Sequence, residues 1–120
     1  MSINVLIVDD HAGFRSLARS LLETDGYIVV GEAADGTSAL AAATVLKPAL
    51  ILLDVQLPDR DGFAVARELT KRCPDVLIVL ISTRDARDYG RRLDESGALG
   101  FIPKGELSSA ALTNLLTATH

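Results

Sequence analysis

Five polar side chains stand directly or closely after apolar runs of the sequence. They are Asp9 and Asp10 after 5–8, Asp54 after 50–53, Ser82 after 76–81, and Lys104 after 99–102. Continuous runs of β-branched residues and leucine are typical of strands that are buried on both faces of a parallel sheet. Because ligands of such sheets bind just beyond the carboxyl ends of the strands, we expect these side chains to converge at one edge.

The two acids after the first run predict a site for a divalent cation. Adjacent ionised carboxylates repel each other, so keeping both charged requires a compensating positive charge. Mg²⁺ takes oxygen ligands and is commonly held by one or two carboxylates together with phosphate oxygens. Asp54 supplies a further carboxylate at the end of a neighbouring strand.

Asp54 is the candidate nucleophile of this group. A carboxylate can attack phosphorus and form an acyl phosphate. Such a transfer needs a cation that neutralises the phosphoryl oxygens and positioned donors for the charge of the transition state. The metal ion, the Lys104 amine and the Ser82 hydroxyl fill these roles.

Each of these residues also has a purely structural interpretation. Asp9 and Asp10 can cap the following helix, where negative charge favours the helix dipole. Asp54 can be a strand-end turn residue, Lys104 a solvated loop lysine and Ser82 another helix cap. The expected convergence of all of them on one edge favours the chemical interpretation.

Composition and charge limit the class of protein. The 120 residues, 48% of them hydrophobic, suit one domain over 1–120 with one core. A net charge of −4 argues against nonspecific binding to nucleic acid or anionic membranes. The single cysteine, Cys73, excludes an internal disulfide, and no apolar run reaches the roughly 18 residues of a membrane span. With no signal-peptide pattern, we expect a cytoplasmic protein.

Strand and helix patterns alternate five times along the chain. The predicted strands are 5–8, 27–34, 50–53, 76–81 and 99–102. The predicted helices are 12–24, 38–46, 61–72, 85–95 and 106–117, the third with Asp61 as its N-cap. This alternation predicts an α/β fold, a (βα)5 doubly wound parallel sheet of five strands in the flavodoxin-like order 2-1-3-4-5.

The fourth helix has the weakest pattern of the five. Its apolar positions are only Ala86, Tyr89 and Leu93, and Gly90 lies inside it. Glycine within a helix costs about 1 kcal/mol relative to alanine, so we expect this helix to be marginal and mobile. The four arginines around it are at positions 84, 87, 91 and 92. They are consistent with either a solvated face or a face that binds a partner.

Four segments together resemble the receiver domain of two-component response regulators. They are VLIVDD at 5–10, LLDVQLPDRDG at 52–62, IS at 81–82 and GALGFIPK at 97–104. Each segment is weak alone, but their order is specific and they span nearly the whole chain. Asp10-His11 and residues 101–104 resemble the subfamily that usually carries a C-terminal helix-turn-helix DNA-binding domain.

The resemblance implies a role for each matching position. Asp54 is implied as the phosphoacceptor, and Asp9 and Asp10 are implied as ligands of Mg²⁺. Asp54 and the backbone carbonyl of Gln56 complete the implied metal site. The remaining implied roles are phosphoryl contacts for Ser82 and Lys104, and switch residues for Ser82 and Phe101.

Two positions depart from the family's pattern. Gly105 follows Lys104 where the family usually has proline, as is familiar in the helix-turn-helix subfamily. Thr83 follows Ser82 where the family prefers a very small residue, so its branched side chain is expected to crowd the phosphoryl site. Together with Gln56 and Arg84, which by resemblance flank the approach of water, Thr83 is predicted to tune dephosphorylation.

The function implied by the resemblance is a phosphorylation-dependent signalling switch. A sensor histidine kinase or phosphotransfer protein would donate the phosphoryl group. The surface of helix four, strand five and the last helix would relay the signal and is a candidate homodimer interface. The implied output is transcription regulation through a DNA-binding domain absent from this chain. This domain itself is expected to contact neither nucleic acid nor membrane. A stand-alone receiver that acts by protein–protein binding is the alternative.

Other function classes fit the sequence less well. A receiver that works without phosphorylation would be favoured by loss of an acid, but all the acids are present. Aspartate-based phosphohydrolases need a second acid two residues after the nucleophile, and Gln56 at that position cannot transfer protons. We therefore predict no enzyme beyond a domain that assists its own phosphorylation and dephosphorylation. A flavin or nucleotide site lacks the glycine-rich phosphate loop after strand one.

Overall fold

A central sheet of five parallel strands organises the computed structural model, which describes residues 3–118. The strands are β1 (Asn4–Val8), β2 (Ile28–Ala33), β3 (Leu50–Asp54), β4 (Leu77–Ser82) and β5 (Gly100–Pro103). Their order across the sheet is β2-β1-β3-β4-β5, and every neighbouring pair runs parallel. The predicted flavodoxin-like topology is therefore confirmed.

Helices cover both faces of this sheet. They are α1 (Ala12–Thr24), α2 (Gly36–Leu46), α3 (Gly62–Arg72), α4 (Arg91–Glu95) and α5 (Ser109–Ala118). Short 3₁₀ turns at Ala86–Asp88 and Lys104–Glu106 precede α4 and α5. Among the residues described, no helix combines the length and the apolar character that a membrane crossing requires.

The central strands separate two apolar layers. In β1, Leu6 and Val8 pack in the layer of α2 and α3, whereas Val5 and Ile7 pack in the layer of α1 and α5. All four side chains are fully buried. Since both faces of the strand are covered, alternate polar residues have no place in it, and this explains the continuous apolar runs.

Aspartates fix where α2 and α3 begin. The Asp35 carboxylate accepts a hydrogen bond from Ser38 N at 2.8 Å, so α2 starts at Gly36, two residues before the predicted start. The Asp61 carboxylate accepts from Phe63 N at 2.9 Å and is the N-cap of α3, as predicted. Each cap satisfies a backbone donor that the first turn of a helix leaves unpaired.

The prediction of one helix over 85–95 is wrong. The chain forms the 3₁₀ turn Ala86–Asp88, and α4 begins only after Gly90, whose φ is 56°. A positive φ interrupts right-handed helical geometry. Neither short piece contains a fully buried residue, and Leu93 of α4 is only partly buried against the core, so the apolar face is too small to stabilise a continuous helix.

The last helix also begins later than predicted. Residues 104–106 form a separate 3₁₀ turn, and α5 starts at Ser109 rather than at Glu106. The Ser108 hydroxyl accepts a hydrogen bond from Ala111 N at 3.0 Å and caps this start. The turn matters for the site, because it holds Lys104 beyond the carboxyl end of β5.

Candidate functional site

Three of the candidate residues are in direct contact at the carboxyl edge of the sheet. Lys104 Nζ lies 2.6 Å from Asp9 Oδ2 and 3.1 Å from Asp54 Oδ2. Asp9 is 0% exposed and Asp54 is 3% exposed. A solvated loop lysine would not form two contacts with buried carboxylates, so the structural interpretation of Lys104 does not hold.

Local backbone donors orient the two buried carboxylates. Asp54 Oδ1 accepts a hydrogen bond from Gln56 N at 2.9 Å, and Asp9 Oδ1 accepts one from His11 N at 2.8 Å. Arg15 also donates from Nη1 to the Asp9 carbonyl at 2.6 Å. Each carboxylate therefore has one oxygen bound to its own turn and the other directed toward Lys104.

The charges of this cluster are not balanced. Burial raises the pKa of Asp54 above its ordinary value, and the charge of Asp9 adds to the rise, whereas Gln56 N–H and Lys104 oppose it. Burial alone would lower the pKa of Lys104, but its contacts with Asp9 and Asp54 outweigh burial and hold that pKa above its ordinary value. One ammonium thus faces two buried carboxyl groups, and a further cation would favour their ionised forms.

The donor set at this edge fits a hard divalent cation. Ligand atoms of Asp9, Asp10, His11 and Asp54 all lie within 4.8 Å of one another. Asp9 Oδ2 is buried, and among residues 3–118 its polar contact is the approach of Lys104 Nζ at 2.6 Å. Carboxylate oxygens are the ligands that Mg²⁺ prefers in proteins, so the residues present can hold that ion.

Asp10 does not serve as a helix cap. The N-cap of α1 is His11, and no side chain makes a capping hydrogen bond at this helix start. The Asp10 side chain is 35% exposed, and its Oδ1 lies 3.1 Å from His11 Nδ1. His11 itself is 70% exposed, and its ring contacts both acids.

Ser82 is buried at the end of β4, but its hydroxyl is already engaged. Ser82 Oγ accepts a hydrogen bond from Arg84 N at 3.0 Å and lies 2.6 Å from Tyr89 Oη. Ser82 begins no helix, because the 3₁₀ turn that follows is capped by Asp85. The strand position of Ser82, next to the end of β3, comes from the register in which Asp54 pairs with Ile81.

Phe101 lies half-buried on β5 in contact with the same tyrosine. The ring centroids of Tyr89 and Phe101 are 5.9 Å apart, and those of Tyr89 and Phe63 are 5.2 Å apart. Tyr89 therefore stands between an α3 residue and the predicted switch residue. The role of Phe101 as a switch residue stays a prediction.

The three residues predicted to tune dephosphorylation are exposed. Gln56 and Arg84 line one open cleft, together with Tyr89 and Arg92. Thr83 is exposed immediately after β4. The structure thus places Gln56 and Arg84 on a shared surface beside the buried cluster. The roles of all three stay predictions.

Two residues with structural importance for the site were not singled out from the sequence. A Cβ atom on Gly62 would lie 2.4 Å from Asp54 O and 2.6 Å from Val55 Cα, so α3 packs directly against the end of β3 only because position 62 is glycine. From the sequence, Tyr89 is only one of three apolar positions of the predicted fourth helix. The glycine directly after the Asp61 cap was a usable signal, whereas the hydroxyl pairing of Tyr89 has no sequence signature.

Comparison with known proteins identifies the relatives of this chain. The family described as the response regulator receiver domain matches residues 5–117. The response regulator GacA of Pseudomonas protegens is 38% identical over 104 residues, which cover 86% of this chain and 49% of GacA. A protein-glutamate methylesterase/protein-glutamine glutaminase of Anaeromyxobacter dehalogenans is 41% identical over 111 residues, 92% of this chain and 31% of that protein. The chain thus spans half or less of the length of these relatives.

Solved structures agree with the sequence relatives. The signal receiver domain of NarL from Mycobacterium tuberculosis superimposes with a TM-score of 0.83 at 31% identity, covering 96% of this chain and 97% of that one. A LuxR-family response regulator from Aurantimonas gives a TM-score of 0.87 at 27% identity, covering 99% of this chain and 85% of that one. The chain belongs to the response regulator receiver domain family of two-component signalling.

Proposed function

We propose that this domain accepts a phosphoryl group on Asp54 and thereby switches the state of a signalling pathway. The observation that carries the proposal is the buried contact of Lys104 with both Asp54 and Asp9. A buried carboxylate that faces an ammonium, with further carboxylates within reach of a shared cation, is equipped to form an acyl phosphate. A structural salt bridge would need only one acid for one lysine.

The proposed reaction transfers a phosphoryl group from a histidine of a sensor kinase or phosphotransfer protein. An Asp54 carboxylate oxygen forms the new bond to phosphorus, and the bond between phosphorus and the donor nitrogen breaks. Lys104 then neutralises one phosphoryl oxygen, and the Ser82 hydroxyl donates to another. When bound by Asp9, Asp10, Asp54 and the Gln56 carbonyl, Mg²⁺ would supply the positive charge that the site lacks.

We propose that the signal leaves through the surface formed by α4, β5 and α5, here called the output surface. Arg92 is held against α3, because its guanidinium contacts the Asp61 carboxylate and lies 4.5 Å above the Phe63 ring. Arg91 is exposed on the same helix and is available to acidic groups of a second copy. If phosphorylation drives homodimerisation through this surface, Arg91→Glu lowers the sedimenting mass of the phosphorylated domain; an unchanged mass contradicts the interface.

The output of the whole protein is proposed from its relatives. The chain covers 49% of the response regulator GacA and 52% of a Pseudomonas aeruginosa protein named as a transcriptional regulator. We infer that a DNA-binding domain outside this chain regulates transcription in the cytoplasm. A stand-alone receiver that acts through protein contacts is the second candidate, supported by the CheY-like receiver fold that the chain shares.

Incubation with a small acyl phosphate tests the proposed chemistry. We expect wild-type protein to gain the mass of one phosphoryl group only when Mg²⁺ is present. Lys104→Ala should react roughly 10- to 100-fold more slowly, because it loses a charged donor to the transition state. Lys71→Ala, which removes an exposed lysine of α3, is the matched control and should react at the wild-type rate. No mass gain by the wild type, or equal rates for both variants, contradicts the proposal.

A further inference from the structure

The Ser82 hydroxyl is hydrogen-bonded to Tyr89, which is not one of the two predicted switch residues, Ser82 and Phe101. Ser82 Oγ and Tyr89 Oη are 2.6 Å apart, and Ser82 Oγ also accepts the Arg84 backbone N–H at 3.0 Å. A serine hydroxyl has one proton and two lone pairs. If Ser82 donates to Tyr89, its only proton is used; if Tyr89 donates, both lone pairs are used and the hydroxyl is held in place.

Aromatic packing fixes Tyr89 in the position from which it reaches Ser82. Its ring makes an edge contact with Phe63 on α3, with centroids 5.2 Å apart, and a tilted contact with Phe101 on β5 at 5.9 Å. Such contacts stabilise an aromatic pair by about 0.5–1.5 kcal/mol beyond its buried area. The hydroxyl bond and the Phe101 ring are thus connected through a single side chain.

We propose that Tyr89 is a positioning residue that holds the Ser82 hydroxyl in the orientation of the unphosphorylated domain. This inference rests on the proposed function, in which Ser82 donates to the phosphoryl group on Asp54. When Ser82 is the donor, it has to exchange its tyrosine partner for a phosphoryl oxygen, and the release of Tyr89 frees the ring that packs on Phe101. The two switch residues therefore change together.

The segment that carries Tyr89 is suited to this release. Tyr89 directly follows the 3₁₀ turn Ala86–Asp88 and precedes Gly90, whose φ is 56°. The turn and α4 contain no buried residue. The side chains that hold this segment, Tyr89 and Arg92 among them, are only partly buried or exposed, whereas Ser82 itself is buried in the sheet.

Tyr89→Phe is the direct test, because it removes the hydroxyl and keeps the ring between Phe63 and Phe101. The measured quantity is the affinity of the domain for the phosphoryl mimic beryllofluoride in the presence of Mg²⁺, which a spectroscopic titration gives. Losing one competing neutral hydrogen bond should tighten beryllofluoride binding by about twofold to tenfold. Tyr27→Phe is the matched control, since Tyr27 Oη pairs with Thr113 Oγ1 at 2.9 Å far from the site, and it should leave the affinity unchanged.

A second comparison separates positioning of Ser82 from a general effect on folding. In a Ser82→Ala background, Tyr89→Phe should have no effect on beryllofluoride affinity. Unchanged or weaker binding by the single variant overturns the inference, as does equal tightening in the Ser82→Ala background. If the wild type itself binds no beryllofluoride, the proposed function has failed. If the wild type binds and Tyr89→Phe binds equally well, only the inference about Tyr89 has failed.

Discussion

Gly62 is the position where the structure makes the sharpest prediction about stability. A Cβ atom added there would lie 2.4 Å from Asp54 O, 2.6 Å from Val55 Cα and 2.7 Å from Val55 O. Ordinary contacts between such atoms are about 3.5 Å, so the backbones must separate by roughly 1 Å. All three atoms belong to the main chain of the strand end, and no side-chain rotation can relieve the overlap.

The expected cost of Gly62→Ala follows from this overlap. Overpacking of a tight core costs about 1–3 kcal/mol, and the better helix propensity of alanine returns less than about 1 kcal/mol at the start of α3. We expect the free energy of unfolding to fall by about 2 kcal/mol, which lowers Tm by roughly 8 °C for a domain of this size. Because the overlap involves Asp54 itself, the rate of phosphorylation by a small acyl phosphate should fall as well.

Gly13→Ala is the matched control for this measurement. A Cβ atom on Gly13 meets nothing within 4 Å, and the residue lies in α1. This variant should be more stable than the wild type by up to about 1 kcal/mol, with an unchanged rate of phosphorylation. Thermal and urea unfolding give the free energy of unfolding of both variants relative to the wild type. If Gly62→Ala is as stable as the wild type, α3 does not pack against the Asp54 backbone as described.

Three further substitutions probe the edge of the site. Asp10→Ala should reduce the rise in Tm that Mg²⁺ produces. Without metal, the variant should be as stable as the wild type or more stable, because it removes one of several like charges. A large loss of stability without metal contradicts this prediction. Hydrogen bonds from Gly36 and Thr37 lower the pKa of Asp59 to about 2. Asp59→Asn should therefore be less stable than the wild type above the ordinary pKa of an aspartate, and this difference in the free energy of unfolding should vanish as the pH falls toward 2. A difference that does not change with pH refutes this prediction. Thr83→Ala should speed both phosphorylation by a small donor and phosphoryl loss by less than tenfold, which corresponds to about 1.4 kcal/mol; equal or slower rates show that crowding does not set the lifetime.

The sheet could be predicted from the sequence because each central strand is one continuous apolar run. Both faces of β1, β3 and β4 are covered, so their runs are apolar throughout and end where a polar side chain reaches the edge. The contact of Lys104 with Asp9 and Asp54 follows from that topology. Their distances and burial, in contrast, depend on the 3₁₀ turn after β5, for which the sequence carries no periodic pattern.

The segment after β4 could not be predicted, for a related reason. Helical periodicity indicates a helix only when an apolar face is buried, and no residue of the pieces at 86–88 and 91–95 is fully buried. The hydrogen bond between Ser82 and Tyr89 depends on how this irregular segment folds back over the sheet. Tertiary contacts of this kind leave no pattern in the sequence.

The phosphorylated residue itself is the most direct test of the account. After incubation with a small acyl phosphate and Mg²⁺, peptide mass spectrometry should locate one phosphoryl group on Asp54. Asp54→Asn should gain none, whereas Asp75→Asn, which changes an exposed aspartate at the opposite edge of the sheet, should react like the wild type. Phosphorylation of Asp54→Asn at the wild-type rate, or a phosphoryl group on another residue of the wild type, would contradict the assignment of Asp54.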